Sequence, residues 1–395
     1  MSNPSVAVPI RPSEGVAPAG GFHIPSLDGI RAVSFLTVFL AHAGLERWVP
    51  GYLGLTFFFF LSGYLITTLL RLEAERSDRI DFRGFYIRRV LRILPPFYAV
   101  FALALALTGL GVLRGPEHLT GWPFQALQLT NYYIIRSGWW DGLAPGTWVY
   151  WSLAVEEHFY LVFPFLFCWL RGAVPDRRRQ ALVLIGLCVV VLVWRCWLVL
   201  GLHAPKDRLY VATDTRIDSI LFGCVLALWC NPALDPTGTS EQAWKRAWLP
   251  AGLVLLLLSV AVRNPVYDQT LRYTLQGIAL IPLFVVAVRF PAWGPVRLLN
   301  LPWMRLLGGL SYALYLLHTS VIFGVRAWIQ VPLLLQGILS LAIALALAAL
   351  IRVAVEEPCA LLRKRLLPGK RPRLPVEETA PARPAALAHE GRPTR

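Results

Sequence analysis

Residues 26–43 read Ser-Leu-Asp-Gly-Ile-Arg-Ala-Val-Ser-Phe-Leu-Thr-Val-Phe-Leu-Ala-His-Ala, an apolar stretch with a guanidinium near one end and an imidazole near the other. As a helix, this places Arg31 and His42 within about 20° of one face and about 16 Å apart along the axis. An arginine in lipid costs on the order of 3 kcal/mol or more at the bilayer centre. The pair must therefore be shielded or put to use. Its chemistry would be anion binding by the guanidinium and proton transfer by the imidazole.

Three further groups could join them. In the stretch from Trp148 to Tyr160, Glu156, Glu157 and His158 fall deep in an apolar segment. Adjacent carboxylates cannot both stay charged there without partners. Helical spacing puts Ser152, Glu156 and Tyr160 on one face, with Glu157 and His158 turned elsewhere. A glutamate that simply ties two spans together is the structural counterpart of a functional one. Ser311, Tyr315 and His318 also share a face, where His318 is either a packing histidine or a functional group. Residues 71–92 carry Arg71, Arg76, Arg79, Arg83, Arg88, Arg89 and Arg92 among apolar residues, the pattern of an amphipathic helix on a membrane surface. That helix could anchor in anionic headgroups. It could also bind phosphate, because Arg89 and Arg92 are i,i+3 neighbours able to grip a pyrophosphate together. Arg88 points about 100° away, towards lipid. Arg195, inside a span, predicts a structural ion pair with a carboxylate of the bundle.

The elements that must position these groups are membrane helices. The chain has 395 residues, of which 56% are hydrophobic and only 15% charged. Runs of about twenty apolar residues recur, each long enough to span a bilayer. Spans are predicted at 29–45, 52–71, 94–113, 148–170, 181–200, 216–231, 249–262, 271–288, 304–325 and 333–355, an all-α polytopic bundle of ten helices. Ser62 and Gly63 are expected contact points of the second span against the first. The last span should stop at Glu356-Glu357-Pro358. Most of the 38 Lys and Arg fall in segments on the side of the N-terminus. This predicts cytoplasmic termini and a multi-pass inner-membrane protein. The net charge of +15 is thereby an orientation signal and not a mark of nucleic-acid binding.

Residues 1–22 are rich in Pro, Ala and Ser, lack an apolar core, and read as a disordered cytoplasmic arm with no cleavable signal. Residues 23–360 form the membrane domain, and 361–395 a disordered basic tail on anionic headgroups. The six cysteines lie in spans or at cytoplasmic edges, which argues against a disulfide framework, and no pair has metal-ligand spacing. No metal is expected. The external segment 114–147 carries Trp122, Tyr132, Tyr133, Trp139 and Trp140, read first as an interfacial belt and second as a lid or acceptor platform.

This topology puts Arg31, Arg89 and Arg92 towards the cytoplasm and His42, Glu156 and His318 in the outer half. Such a protein suits an activated donor with phosphates and a long thin arm, as in coenzyme A esters. His42 would deprotonate an acceptor hydroxyl as it attacks the thioester, with a carboxylate orienting the ring.

The motif Leu27-Asp28-Gly29-Ile30-Arg31, followed after ten residues by His42, resembles the opening of the acyltransferase-3 family of integral membrane O-acyltransferases. The similarity continues through Phe57–Ile66, Arg88–Pro96, Trp148–Tyr160 and Ser311–His318, in the same order. It covers about residues 24–360. The resemblance implies a ten-helix stand-alone unit that transfers acyl groups, commonly acetyl, from acyl-CoA to hydroxyls of sugars, polysaccharides or secondary metabolites. It implies His42 as base or acyl relay, Glu156 as the more constant acid, and Arg31, Arg89 and Arg92 as the donor site. Arg88, Ser152, Glu157, Tyr160 and His318 would support them. Two features depart from the family's pattern: His158 stands where glutamine is frequent, and the hydrolase-like domain that some members carry is not expected after the membrane unit. The acceptor is therefore expected to come to the bundle, or a separate relay protein to carry the acyl group. A proton-coupled transporter would use the same residue types, but the two halves of the sequence show no similarity to each other. A non-catalytic scaffold would leave the Arg31/His42 face unexplained.

Overall fold

The computed structural model describes residues 23–367, and all of their regular secondary structure is helical. The membrane-scale helices are α1 (Pro25–Leu40, extended by a π-helical turn at Ala41–Leu45), α2 (Gly51–Ser77), α3 (Phe82–Gly109), α6 (Tyr150–Ala173), α7 (Arg177–Leu200), α9 (Thr213–Trp229), α11 (Leu249–Ala261), α13 (Leu271–Arg289), α14 (Pro302–Trp328) and α15 (Leu333–Ile351). Short helices join them: α4 (Trp122–Ala126), α5 (Thr130–Ser137), α8 (Lys206–Val211), α10 (Glu241–Ala243) and α12 (Pro265–Gln269), with α16 (Glu357–Leu366) following α15. The expected arm and the tail beyond residue 367 lie outside the described residues.

Nine helices among the described residues are long and apolar enough to cross a membrane. The remaining predicted span, 216–231, falls in α9, which has 17 residues and is buried along nearly its whole length. Its walls are α2, α7 and α13. It is a central strut enclosed by protein, so it never has to match the full width of a lipid core.

Close helix contacts are set by glycines, but not all where the sequence placed them. A Cβ on Gly63 would lie 1.9 Å from the Ile220 carbonyl oxygen, and one on Gly223 2.0 Å from that of Phe60. Gly63 therefore seats α2 on α9, and Gly54, whose Cβ would stand 2.5 Å from the Ser34 carbonyl oxygen, seats it on α1. Ser62 faces α6 instead. Gly63→Ala is expected to force α2 and α9 apart and destabilise the protein by about 1–3 kcal/mol or more. Thermal unfolding in detergent, compared with Gly109→Ala, where a Cβ meets open space, measures the difference.

Two other expectations are corrected. Residues 71–92 do not form a separate surface helix. They are the last turns of α2, a tight turn with Asp78 at φ 52°, and the start of α3, whose Asp81 caps the Gly84 amide at 3.0 Å. The arginines find carboxylates there: Arg71 pairs with Asp235 and with Glu75, and Arg88 with Glu73 at 3.0 Å. Arg88 thus bridges α3 to α2 and does not serve lipid. Nor does Pro358 end the last helix. The π turn at Arg352–Glu356 absorbs the ring, and helix continues to Leu366, so residues 361–366 of the expected tail are ordered.

Candidate active site

Helices α1 and α14 run parallel from a crossing where a Cβ on Gly308 would stand 1.9 Å from the Asp28 carbonyl oxygen. Further along, they bring His42 and His318 together, with Nδ1 of His42 2.9 Å from Nε2 of His318 and the rings stacked at 5.2 Å. His42 sits in the π turn. A π turn offsets the backbone ladder and is frequent at functional sites. Here the turn contains Gly44, whose φ of +109° few other residues adopt, and Arg326 of α14 donates to the His42 carbonyl at 3.1 Å.

The hydrogen bonds assign the tautomers. His318 Nδ1 lies 2.7 Å from the Tyr315 carbonyl oxygen, which can only accept, so Nδ1 carries the proton. Its Nε2 is then a bare acceptor for the Nδ1–H of His42. That leaves Nε2 of His42 with a free lone pair, the arrangement of a general base or nucleophile whose second nitrogen is fixed by a partner. His318 is fully buried against Phe35 and Phe39, and Trp148 meets the His42 ring edge-on at 6.4 Å. The orienting group that sequence expected to be a carboxylate is thus an imidazole.

His42 lines a cavity of about 350 Å³ together with Tyr52, Trp139, Trp140, Trp148 and Tyr315. Trp139 and Trp140 come from the segment expected first to be an interfacial belt; they form the cavity's wall instead. Trp140 packs on Trp148 at 4.6 Å and Trp139 against Tyr210 at 6.1 Å. The next loop is pinned to α14, with Thr319 and Ser320 donating to the carbonyls of Gly146 and Pro145 at 2.6 and 2.9 Å. Gly146 has φ +83°, and a Cβ there would stand 2.3 Å from the Ser320 nitrogen. These aromatics carried a sequence signal only through their number.

One face of α6 connects this cavity to the arginines. Ser152 and the Tyr315 hydroxyl are 2.6 Å apart beside the histidines. One turn on, Glu156 Oε2 accepts from Ser62 at 3.0 Å and from Tyr160 at 2.9 Å. Over the Tyr160 ring lies the Arg89 guanidinium, 4.8 Å from its centroid. Arg92, exposed, is within electrostatic range of both Arg89 and Arg31. Arg31 is itself paired with Asp28 at 2.8 Å.

The structure therefore places Ser152, Glu156 and Tyr160 on one face, and gathers Arg31 and Arg89 near Glu156, with Arg92 close to those two arginines. It separates Glu156 from His42. Arg88 is engaged by Glu73. Glu157 has Oε1 buried with no hydrogen-bond partner among the described residues. His158 turns to Thr213 at 2.8 Å and stacks on Tyr132, a structural tie. Arg195 finds its carboxylate in Asp218, at 2.8 Å and fully buried. Ser62, expected only as a packing residue, proves to be a partner of Glu156.

A multi-helix bundle of membrane-scale helices, with a tautomer-fixed histidine at one place and clustered arginines at another, defines the class: a polytopic membrane protein with the groups for proton transfer and anion binding held inside it. A family model described as an acyltransferase domain matches residues 24–353, and the chain belongs to that family. It is similar to the peptidoglycan O-acetyltransferase OatA of Listeria monocytogenes, at 29% identity over 355 residues, covering 85% of this chain and 56% of the relative. It is also similar to the O-acetyltransferase OatA of Staphylococcus aureus, at 29% identity over 326 residues, 78% of this chain and 52% of the relative. The chain thus spans about half the length of these curated relatives. No solved structure matches it.

Proposed function

We propose that this protein is an inner-membrane O-acyltransferase that moves an acyl group, foremost acetyl, from cytoplasmic acyl-CoA to a hydroxyl of a glycan or glycosylated metabolite. The His42–His318 pair facing a cavity carries the proposal, because it leaves one imidazole nitrogen bare and fixed. The acyltransferase family supports transfer over a proton-coupled transporter. The names of the two OatA relatives support acetyl as the group moved, and one names peptidoglycan as the acceptor.

Arg31, Arg89 and Arg92, on the cytoplasmic side, take the donor's phosphates, and the pantetheine arm runs along the Tyr160–Glu156–Ser152 face towards His42. Nε2 of His42 takes the proton of the acceptor hydroxyl as its oxygen attacks the thioester carbonyl. The carbon–sulfur bond breaks, the thiolate receives that proton from His42, and the products are the ester and free coenzyme A. Throughout, His318 holds the ring in the reactive tautomer. Glu156 does not touch His42; its part is to hold Ser62, Tyr160 and, through the ring of Tyr160, Arg89 in place.

Purified full chain in lipid nanodiscs, supplied with radiolabelled acetyl-CoA and soluble glycans, should release thiol and label the glycan; the absence of both would sink the proposal. Arg89→Ala and Arg92→Ala should each raise KM for acetyl-CoA about 10- to 100-fold, the value of a charge-assisted phosphate contact. The same variants should leave KM for acetyl-pantetheine, which lacks the nucleotide phosphates, close to that of the parent.

A further inference from the structure

Beside the His42 cavity opens a second recess, of about 370 Å³, which shares Tyr52, Trp139 and Tyr210 with it. Beyond those shared rings its lining changes character. Apart from Leu209, the rest of it is Lys206 and Asp207 of α8, Asp268 and Gln269 of α12, and Arg272 and Tyr273 of α13. Two cations face two anions, so the recess as a whole carries no net charge. Arg272 pairs with Asp268 and stacks its guanidinium 4.7 Å from the Tyr52 ring centroid. Its Nε is buried with no hydrogen-bond partner among the described residues.

We propose that this recess is an acceptor subsite for a neutral saccharide, holding the sugar unit next to the one acylated at His42. The inference rests on the function proposed above and adds the acceptor's size and charge. A pyranose offers an apolar C–H face and a rim of hydroxyls. The first matches the tyrosine and tryptophan faces. The second matches a rim of carboxylate, amide and guanidinium groups, each able to take adjacent hydroxyls in pairs. The cancelled charge and the aromatic wall separate this recess from the arginine end, where three guanidinium groups cluster. A lipid chain would strand those polar groups without partners. The two recesses adjoin at Tyr52, Trp139 and Tyr210, so an acceptor of two or more units would reach across those rings into both while a monosaccharide fills only the first.

The test uses the full chain in nanodiscs, with N-acetylglucosamine and its linear tetramer as probes and binding read by saturation-transfer NMR titration. The parent should bind the tetramer about 10-fold more tightly than the monomer. Asp207→Asn combined with Gln269→Ala should bring the two affinities within about 2-fold, as should Arg272→Gln, since each removes rim contacts worth about one hydrogen bond. Acetyl-CoA binding on the same samples shows that the variants are folded. Equal affinities in the parent, a tetramer preference untouched by either variant, or a stronger grip on polygalacturonate fragments than on the neutral tetramer would each overturn the subsite. Tetramer preference without acetyl transfer to any acceptor would instead defeat the transfer reaction and leave the subsite standing.

Discussion

His42→Ala is expected to lower kcat for acetyl transfer about 100- to 10,000-fold, the usual contribution of a positioned general base. Acetyl-CoA binding should stay near the parent value, because the phosphate site proposed above, at Arg31 of α1 and Arg89 and Arg92 of α3, does not include His42. The informative companion is His318. His318→Leu leaves the His42 Nδ1–H with no acceptor and frees the ring to choose the other tautomer, so kcat should fall about 10- to 100-fold with KM for the donor unchanged. His318→Gln offers an amide oxygen in place of the imidazole nitrogen 2.9 Å from His42 and should recover part of that loss. A purely structural histidine would not show this recovery by the conservative variant. Radiolabelled transfer under single-turnover conditions, alongside donor binding, separates the two. Full transfer by His42→Ala would remove the base from the mechanism.

The largest expected loss of stability comes from Arg195→Met. Arg195 is fully buried and holds together three helices: it donates to Asp218 at 2.8 and 2.9 Å, to the Thr215 carbonyl at 2.8 Å and to Thr274 at 2.6 Å. Removing it strands the Asp218 carboxylate, also fully buried, at a cost of about 3–5 kcal/mol. The double variant Arg195→Met/Asp218→Leu should recover most of that, since an ion pair replaced whole by apolar groups is often neutral. Arg216 supplies the contrast. It is equally buried, but none of its guanidinium nitrogens has a hydrogen-bond partner among the described residues, and it rests on the Tyr273 ring at 3.6 Å. Arg216→Met orphans no carboxylate, so its effect should be small or stabilising. Unfolding in mixed micelles, followed for the three variants, checks the order.

The course from Arg31 to His42 was legible because lipid makes such residues expensive, and α6 kept its helical period, so Ser152, Glu156 and Tyr160 emerged on one face as their spacing required. Helical class and membrane character follow from composition for the same reason. What spacing cannot encode is which face meets which. The π turn at Ala41–Leu45 breaks the regular period, and its only trace in sequence is Gly44. The pairing of His42 with a residue 276 positions away, the diversion of Arg88 to Glu73, and the seating of Gly63 on α9 are all decided by neighbouring helices. A sequence fixes the period of each helix and the cost of its polar groups in lipid. Only close packing, acting between segments far apart in the chain, selects the partners that meet that cost.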